Sequence, residues 1–170
     1  GDAAILKELI KILAENKIKV IKLNFFNPEL TISKGNYTKL KPSKSEIVEI
    51  KKGINHLYKL NAYNHTQGII LRNGNVVASE TSKGTKKMLK TLRKTKVHRG
   101  MLIKFPKKKQ DLRADLPTVG LETLRDCKKA NIKGIILKSN ENIILDKNKC
   151  INFANKNKIF IAVKWKEFLF

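Results

Sequence analysis

The sequence predicts a single α/β domain, a mixed sheet with flanking helices and two β-hairpins. Three observations predict it. Short β-branched, apolar runs alternate along the chain with segments of helical period. Asn73-Gly74 separates two such runs, and this dipeptide suits a two-residue hairpin turn because both positions accept positive φ. The 170 residues are 41% apolar, enough to bury one full-sized core.

Taken in order, Ala3 to Asn16 reads as an amphipathic helix with Asp2 at its N-cap position and Ile5, Leu9, Ile10 and Leu13 on one stripe. Ile18 to Leu23 alternates as a strand does, and Phe25 to Lys41, with Pro28 and Gly35, reads as a long loop. Ser43 and Glu46 form a capping box for a helix running to Leu60, with Ile47, Ile50, Ile54 and Leu57 inside. Gly68–Leu71 and Asn75–Ser79 make the first hairpin. A short helix spans Thr85–Lys94 behind Gly84, and Met101–Phe105 is a strand. Leu121–Ala130 is helical. Gly134–Lys138 and Asn142–Leu145 are expected to form the second hairpin across Asn140-Glu141. Asp146 is expected to cap a helix reaching Asn155; Ile159–Val163 is the last strand, and Trp165–Phe170 a tail.

Composition narrows the function. The net charge is +23, which by itself suggests a polyanionic partner. Yet the base is 32 lysines against 5 arginines, scattered along the chain, whereas specific recognition of bases draws heavily on Arg. The 11 aromatics form no stacking motif, so no specific nucleic acid is expected. Anionic lipid headgroups and nucleotides are still attracted. Cys127 and Cys150 belong to no C-x-x-C or metal spacing and read as reduced cytosolic thiols. No apolar run approaches the roughly 20 residues of a membrane span. His56, His65 and His98 share no spacing: His56 reads as structural and His65 as a minor candidate.

Chemistry concentrates in Gln110-Asp111-Leu112-Arg113-Ala114-Asp115-Leu116-Pro117-Thr118, which places two of the chain's five aspartates within five positions. In an extended segment Asp111, Arg113 and Asp115 would share one side and Leu112, Ala114 and Leu116 the other. An acid-base-acid row suits a divalent metal or a polyphosphate, since carboxylates hold Mg²⁺ and a guanidinium takes phosphate oxygens in a fork. The alternative is an exposed strand face carrying a local salt-bridge pattern. Upstream stand Lys104, Lys107, Lys108 and Lys109. A second candidate is Lys83-Gly84-Thr85-Lys86 at a helix start, where Gly84, the first helical amides and Lys86 could cradle a phosphate; otherwise it is an ordinary glycine loop. It is not a Walker loop.

The stretch MLIKFPKKKQDLRADLPTVG resembles the signature of the LpxI-type UDP-2,3-diacylglucosamine pyrophosphatases, with Lys104, Lys107, Gln110, Asp111, Arg113, Asp115, Leu116, Pro117, Thr118 and Gly120 on the pattern. GDAAILKELIKIL, KLKPSKSEIVEIKKGI, QGIILRNGNVVASE and KGTKKML resemble further family stretches, so the likeness runs through residues 1–164. It implies a carboxy-terminal catalytic and lipid-substrate domain whose amino-terminal companion is absent from this chain. It also implies Mg²⁺-dependent cleavage of UDP-2,3-diacylglucosamine to lipid X and UMP in lipid A biosynthesis, in the cytoplasm at the inner-membrane surface. Oligomers are possible.

On that resemblance Asp111 and Asp115 are the expected metal ligands and catalytic carboxylates. Lys104, Lys107, Gln110, Arg113, Gln67, Gly84, Thr85 and Lys86 are the expected substrate-binding residues. Three departures set this chain apart: Asn64 for the family's Asp with Thr66 for Gly, Lys83 and Lys86 for two acids, and Lys107-Lys108-Lys109 for Lys-Pro-Gly. They leave open two other readings, a basic module for nucleic acid or anionic membrane and a relative that binds the lipid nucleotide without turnover. If Lys83 and Lys86 serve the site, they are expected beside the same cleft as Asp111.

Overall fold

Helical and extended segments sort by what each can bury, and the sheet takes the most apolar runs. The computed structural model describes residues 2–61, 66–92 and 99–164. Asn64, His65, His98, the predicted helix end at Lys94 and the 165–170 tail lie outside the described residues. Helix α1 spans Asp2–Glu15, beginning at the aspartate expected to cap it, and the short α2 spans Leu23–Phe26. A 3-10 turn at Pro28–Leu30 and strand β1, Gly35–Asn36, follow within the segment expected to be loop. Next come α3 (Lys44–Asn61), β2 (Gly68–Arg72), β3 (Asn75–Ser79), α4 (Gly84–Thr91) and β4 (Gly100–Lys104). The chain continues through β5 (Thr118–Val119), α5 (Leu121–Lys129), β6 (Ile132–Lys138), β7 (Ile143–Ile144), α6 (Lys147–Lys156) and β8 (Phe160–Lys164).

Six strands form a mixed sheet in the order β1-β8-β6-β4-β2-β3. β4, β6 and β8 are parallel neighbours, linked through α5 and α6, while β2 and β3 extend the sheet antiparallel as a hairpin. Parallel strands covered on both faces have near-continuous apolar interiors, as Met101–Ile103 and Ile135–Leu137 do. Leu102, Ile135, Leu137, Ile161 and Val163 face α4, α5 and α6, meeting Met88, Leu89, Leu124, Cys127, Cys150 and Ala154. Ile69, Leu71, Met101, Ile103, Ile136 and Phe160 face the other way, onto Ile50, Ile54 and Leu57 of α3. The result is a three-layer α/β/α domain, the predicted class. Both cysteines are free and buried, and burial pushes the Cys127 thiol up.

Ser43 and Glu46 cap α3 reciprocally: the Ser43 amide donates to Glu46 Oε2 at 2.6 Å, and the Glu46 amide donates to Ser43 Oγ at 3.2 Å. The first hairpin is also as expected, with φ of 51° at Asn73 and 73° at Gly74. Three expectations are corrected. Residues 18–22 form no strand, because the place beside β8 is filled by β1, and Ile18 and Ile21 stay exposed. The second hairpin does not form. β6 already pairs with β4 and β8 on its two edges, so β7 cannot fold back on it and instead joins β5 in a separate parallel pair. Asp146 makes no side-chain cap; it adopts a φ of 49° and pairs with Lys149 at 3.3 Å.

Candidate active site

The three parallel strands all end in lysine: Lys104, Lys138 and Lys164. The loop after β4 carries the aspartate-rich motif, and the turn after β6 lies beside it. In open α/β sheets ligands bind in the crevice outside these carboxyl ends. Asn142 fixes the two loops together. It is fully buried; its Nδ2 donates to the carbonyls of Lys104 and Pro117, each at 3.2 Å, and its Oδ1 accepts from the Lys138 amide at 2.9 Å. One side chain thereby ties the end of β4, the end of the motif and the end of β6.

Two adjoining hollows open between these loops and share Leu112, Lys138 and Glu141. One, of about 370 Å³, is lined further by Tyr58, Pro106, Lys107, Lys108 and Gln110. The other, of about 310 Å³, is lined further by Lys22, Asn24, Leu116, Ser139 and Asn140. The Lys138 ammonium pairs with Glu141 at 2.5 Å.

The motif is not the extended segment that alternation suggested. The amides of Ala114 and Asp115 donate to the Asp111 carbonyl at 3.1 and 2.9 Å, making one helical turn. Its cause is local: Asp111 Oδ1 accepts the Arg113 amide at 3.0 Å, the bond by which aspartate starts turns. The Arg113 guanidinium also closes on Asp111, Nη2 to Oδ2 at 2.7 Å and Nε to Oδ1 at 2.9 Å. Arg113 holds the Asp111 carboxyl below its ordinary pKa, so it is ionised at neutral pH. The pair stands part-exposed, and Lys22 adds positive potential at Asp111. Asp115 follows four residues later, the spacing at which helical side chains are neighbours.

Gln110 lies between motif and core. Its Oε1 accepts from Gln67 Nε2 and from the Lys107 amide, both at 2.9 Å, while its Nε2 is buried with no partner. The structure thus brings Gln67, Lys107 and Gln110 together beside the larger hollow, with Asp111 and Arg113 next in the chain.

Lys104, Thr85, Lys86 and Gly84 form a different group at the start of α4. The Lys104 side chain is 10% exposed; its Nζ donates to Thr85 Oγ1 at 2.6 Å and lies 4.0 Å from Glu80 Oε1. Gly84 has a φ of 76°. Lys86 is bound to Glu122 at 2.6 Å and lines a pocket of about 60 Å³ with Thr85, Thr123 and Asp126. Neither Lys83 nor Lys86 lines the hollows beside the motif, and neither do Asp111, Arg113 and Asp115 themselves.

Sequence reading did not single out Tyr58, Glu80, Lys138, Glu141 or Asn142. Glu80 sat in plain view in the ASE stretch, and Lys138 marked a strand end. The work of Asn142 depends on contacts 25 and 38 residues away.

Mg²⁺ keeps several waters and needs only one or two carboxylates besides substrate phosphates. Among the described residues no three His, Cys, Asp or Glu gather as a metal cage. Asp111 and Asp115, four residues apart in one turn, supply the two carboxylates of the sparser kind of site; their neighbours Gln110, Leu112 and Leu116 line the hollows, and neither aspartate does. Among the described residues no helix is long and apolar enough to cross a membrane.

Two comparisons bear on this arrangement. Residues 33–162 match the family described as the LpxI C-terminal domain. The chain is also similar to the UDP-2,3-diacylglucosamine pyrophosphatase LpxI of Caulobacter vibrioides, 24% identical over 169 residues. That alignment covers 95% of this chain and 60% of the relative, so the chain spans well under two thirds of the relative's length. The match runs through β4, the Asp111–Asp115 turn and the Asn142 tie alike, and the chain belongs to the LpxI C-terminal domain family.

Proposed function

We propose that the protein acts in lipid A biosynthesis as a hydrolase of the pyrophosphate bond of UDP-2,3-diacylglucosamine, releasing lipid X and UMP. The observation that carries the reading is that the loop after β4 bearing the Asp111–Arg113 pair also carries Lys107, Gln110 and Leu112, which line the hollow outside the carboxyl ends of β4 and β6. Asp111 and Asp115 would hold Mg²⁺, which when bound offsets phosphate charge and lowers the pKa of a bound water. Hydrolysis adds the water oxygen to the phosphorus on the sugar side. The bond from that phosphorus to the bridging oxygen breaks, UMP leaves with that oxygen, and a proton passes to solvent.

The chain's own residues bind and orient. Lys107 and Lys108 attract the diphosphate, and charge-assisted bonds from them grow stronger as phosphoryl oxygens gain charge. Arg113 forks either Asp111 or a phosphate, so substrate arrival exchanges one partner for the other. Lys104 is committed to Thr85 and Glu80 and anchors the first turn of α4. A lipid-bearing substrate and an excess of lysine suit work at the cytosolic face of an anionic membrane. The rival reading is binding without turnover, favoured by the closed Asp111–Arg113 pair, which engages both carboxylate oxygens.

The test is incubation of the full-length gene product with UDP-2,3-diacylglucosamine, with and without EDTA, following UMP and lipid X. Metal-dependent appearance of both products supports hydrolysis. Bound but intact substrate selects the rival.

A further inference from the structure

Three side-chain contacts join Arg113 to Asp111: Nη2 to Oδ2 at 2.7 Å, and Nε to Oδ1 and Oδ2 at 2.9 and 3.2 Å. The Arg113 amide takes Oδ1 as well, at 3.0 Å. One residue thus engages both carboxylate oxygens, and its guanidinium occupies the space a second cation on Asp111 would need. Lys22 adds positive potential at the same carboxylate. Nothing else holds the fork: among the described residues the guanidinium has no partner besides Asp111, and the pair is part-exposed. An exposed ion pair shifts an equilibrium by up to about fivefold, enough to bias the carboxylate and little enough to open.

We infer that Arg113 is a latch on Asp111, closed in the free protein and opened by a phosphate-type anion, so that Asp111 accepts a divalent cation only after the anion has arrived. The inference rests on the pyrophosphatase reading and adds an order of binding to it. Charge favours the order. A chain of net charge +23 repels a free dication and draws an anion, and Lys107 and Lys108 line the hollow beside the same loop. Geometry favours it too, since a guanidinium takes phosphate oxygens in the same fork it offers a carboxylate. The exchange keeps the bonds of Arg113 and frees both oxygens of Asp111. A site open only part of the time binds with its affinity reduced by the open fraction, and whatever opens it restores the loss.

The experiment is titration of the full-length protein with Mn²⁺, a paramagnetic stand-in for Mg²⁺, followed by the electron paramagnetic resonance of the free ion. Wild type and Arg113→Lys are compared in sulfate and in chloride at equal ionic strength. Lysine keeps the positive charge and the backbone amide that forms the turn, but it lacks the planar fork that engages both oxygens at once. In chloride, Arg113→Lys should bind Mn²⁺ about two- to fivefold more tightly than wild type. Sulfate should tighten Mn²⁺ on wild type by about the same factor and change the variant little. Equal Mn²⁺ affinities of the two proteins in chloride would overturn the latch, as would no Mn²⁺ binding in any condition. Equal enhancement by sulfate in both would overturn it as well, because sulfate would then act on the ion and not through Arg113. Sulfate-dependent Mn²⁺ binding in a protein that releases no UMP from UDP-2,3-diacylglucosamine would instead sink the pyrophosphatase reading and keep the latch.

Discussion

Lys104 and Glu80 are each about nine-tenths buried, and each is the other's compensation. Removing one partner of such a pair leaves an unpaired charge in low dielectric, which typically costs about 3–5 kcal/mol. Lys104→Met should therefore lower the urea midpoint sharply, and adding Glu80→Met should recover most of the loss. A single variant as stable as wild type would show that the pair carries no such weight. At this scale the sequence was legible where partners are close in the chain. Asp111 and Arg113 were marked as an acid-base pattern and do meet, though as a turn that binds itself and not as one face of a strand. Lys104 was marked as a phosphate ligand, while its partner Thr85 stood in a separate motif; nothing local says that β4 delivers one to the other.

The capping box of α3 was readable because all its bonds span three residues. Ser43→Ala should cost about 1 kcal/mol, measured by chemical denaturation. The same box gives a pH dependence. Burial pushes the Glu46 carboxyl up, but the bonds from Lys133 at 2.6 Å and from Ser43 outweigh it and hold the pKa below its ordinary value. A carboxylate depressed on folding stabilises above its unfolded pKa, about 4.3, and that contribution is lost as pH falls through the folded value. The stability gap between wild type and Glu46→Gln should thus be constant from neutral pH to about 5.5 and shrink below about 4. A gap that widens on acidification would contradict this. Gly134 is a matter of close approach: an added Cβ would come within 2.0 Å of the Phe160 ring on the neighbouring strand. Gly134→Ala should cost at least about 1–3 kcal/mol in thermal melts through overpacking between β6 and β8. Asn140-Glu141 looked like a second hairpin because the turn signal is local. Its failure is not local, since β6 had no free edge once β4 and β8 were in place.

For the whole molecule, alternation of strands and helices was enough to foretell the α/β class, and the family's motif was enough to foretell which loop borders the hollows. The strand order was not readable, and with it went the division of the candidate residues into two groups. Lys107, Gln110 and Gln67 gather at the hollow, whereas Lys104, Thr85 and Lys86 gather at α4. The net charge of +23 attracts anions across the surface, but it does not single out a site. The proposed hydrolysis places its chemistry at Asp111. It is tested most directly by steady-state UMP release from UDP-2,3-diacylglucosamine, comparing wild type with Asp111→Asn and recording the melting curve of each. Turnover of Asp111→Asn should be lower by at least about a hundredfold with a nearly unchanged Tm, because the pair with Arg113 lies at the surface and no core packing is lost. Equal turnover in the two proteins would contradict it.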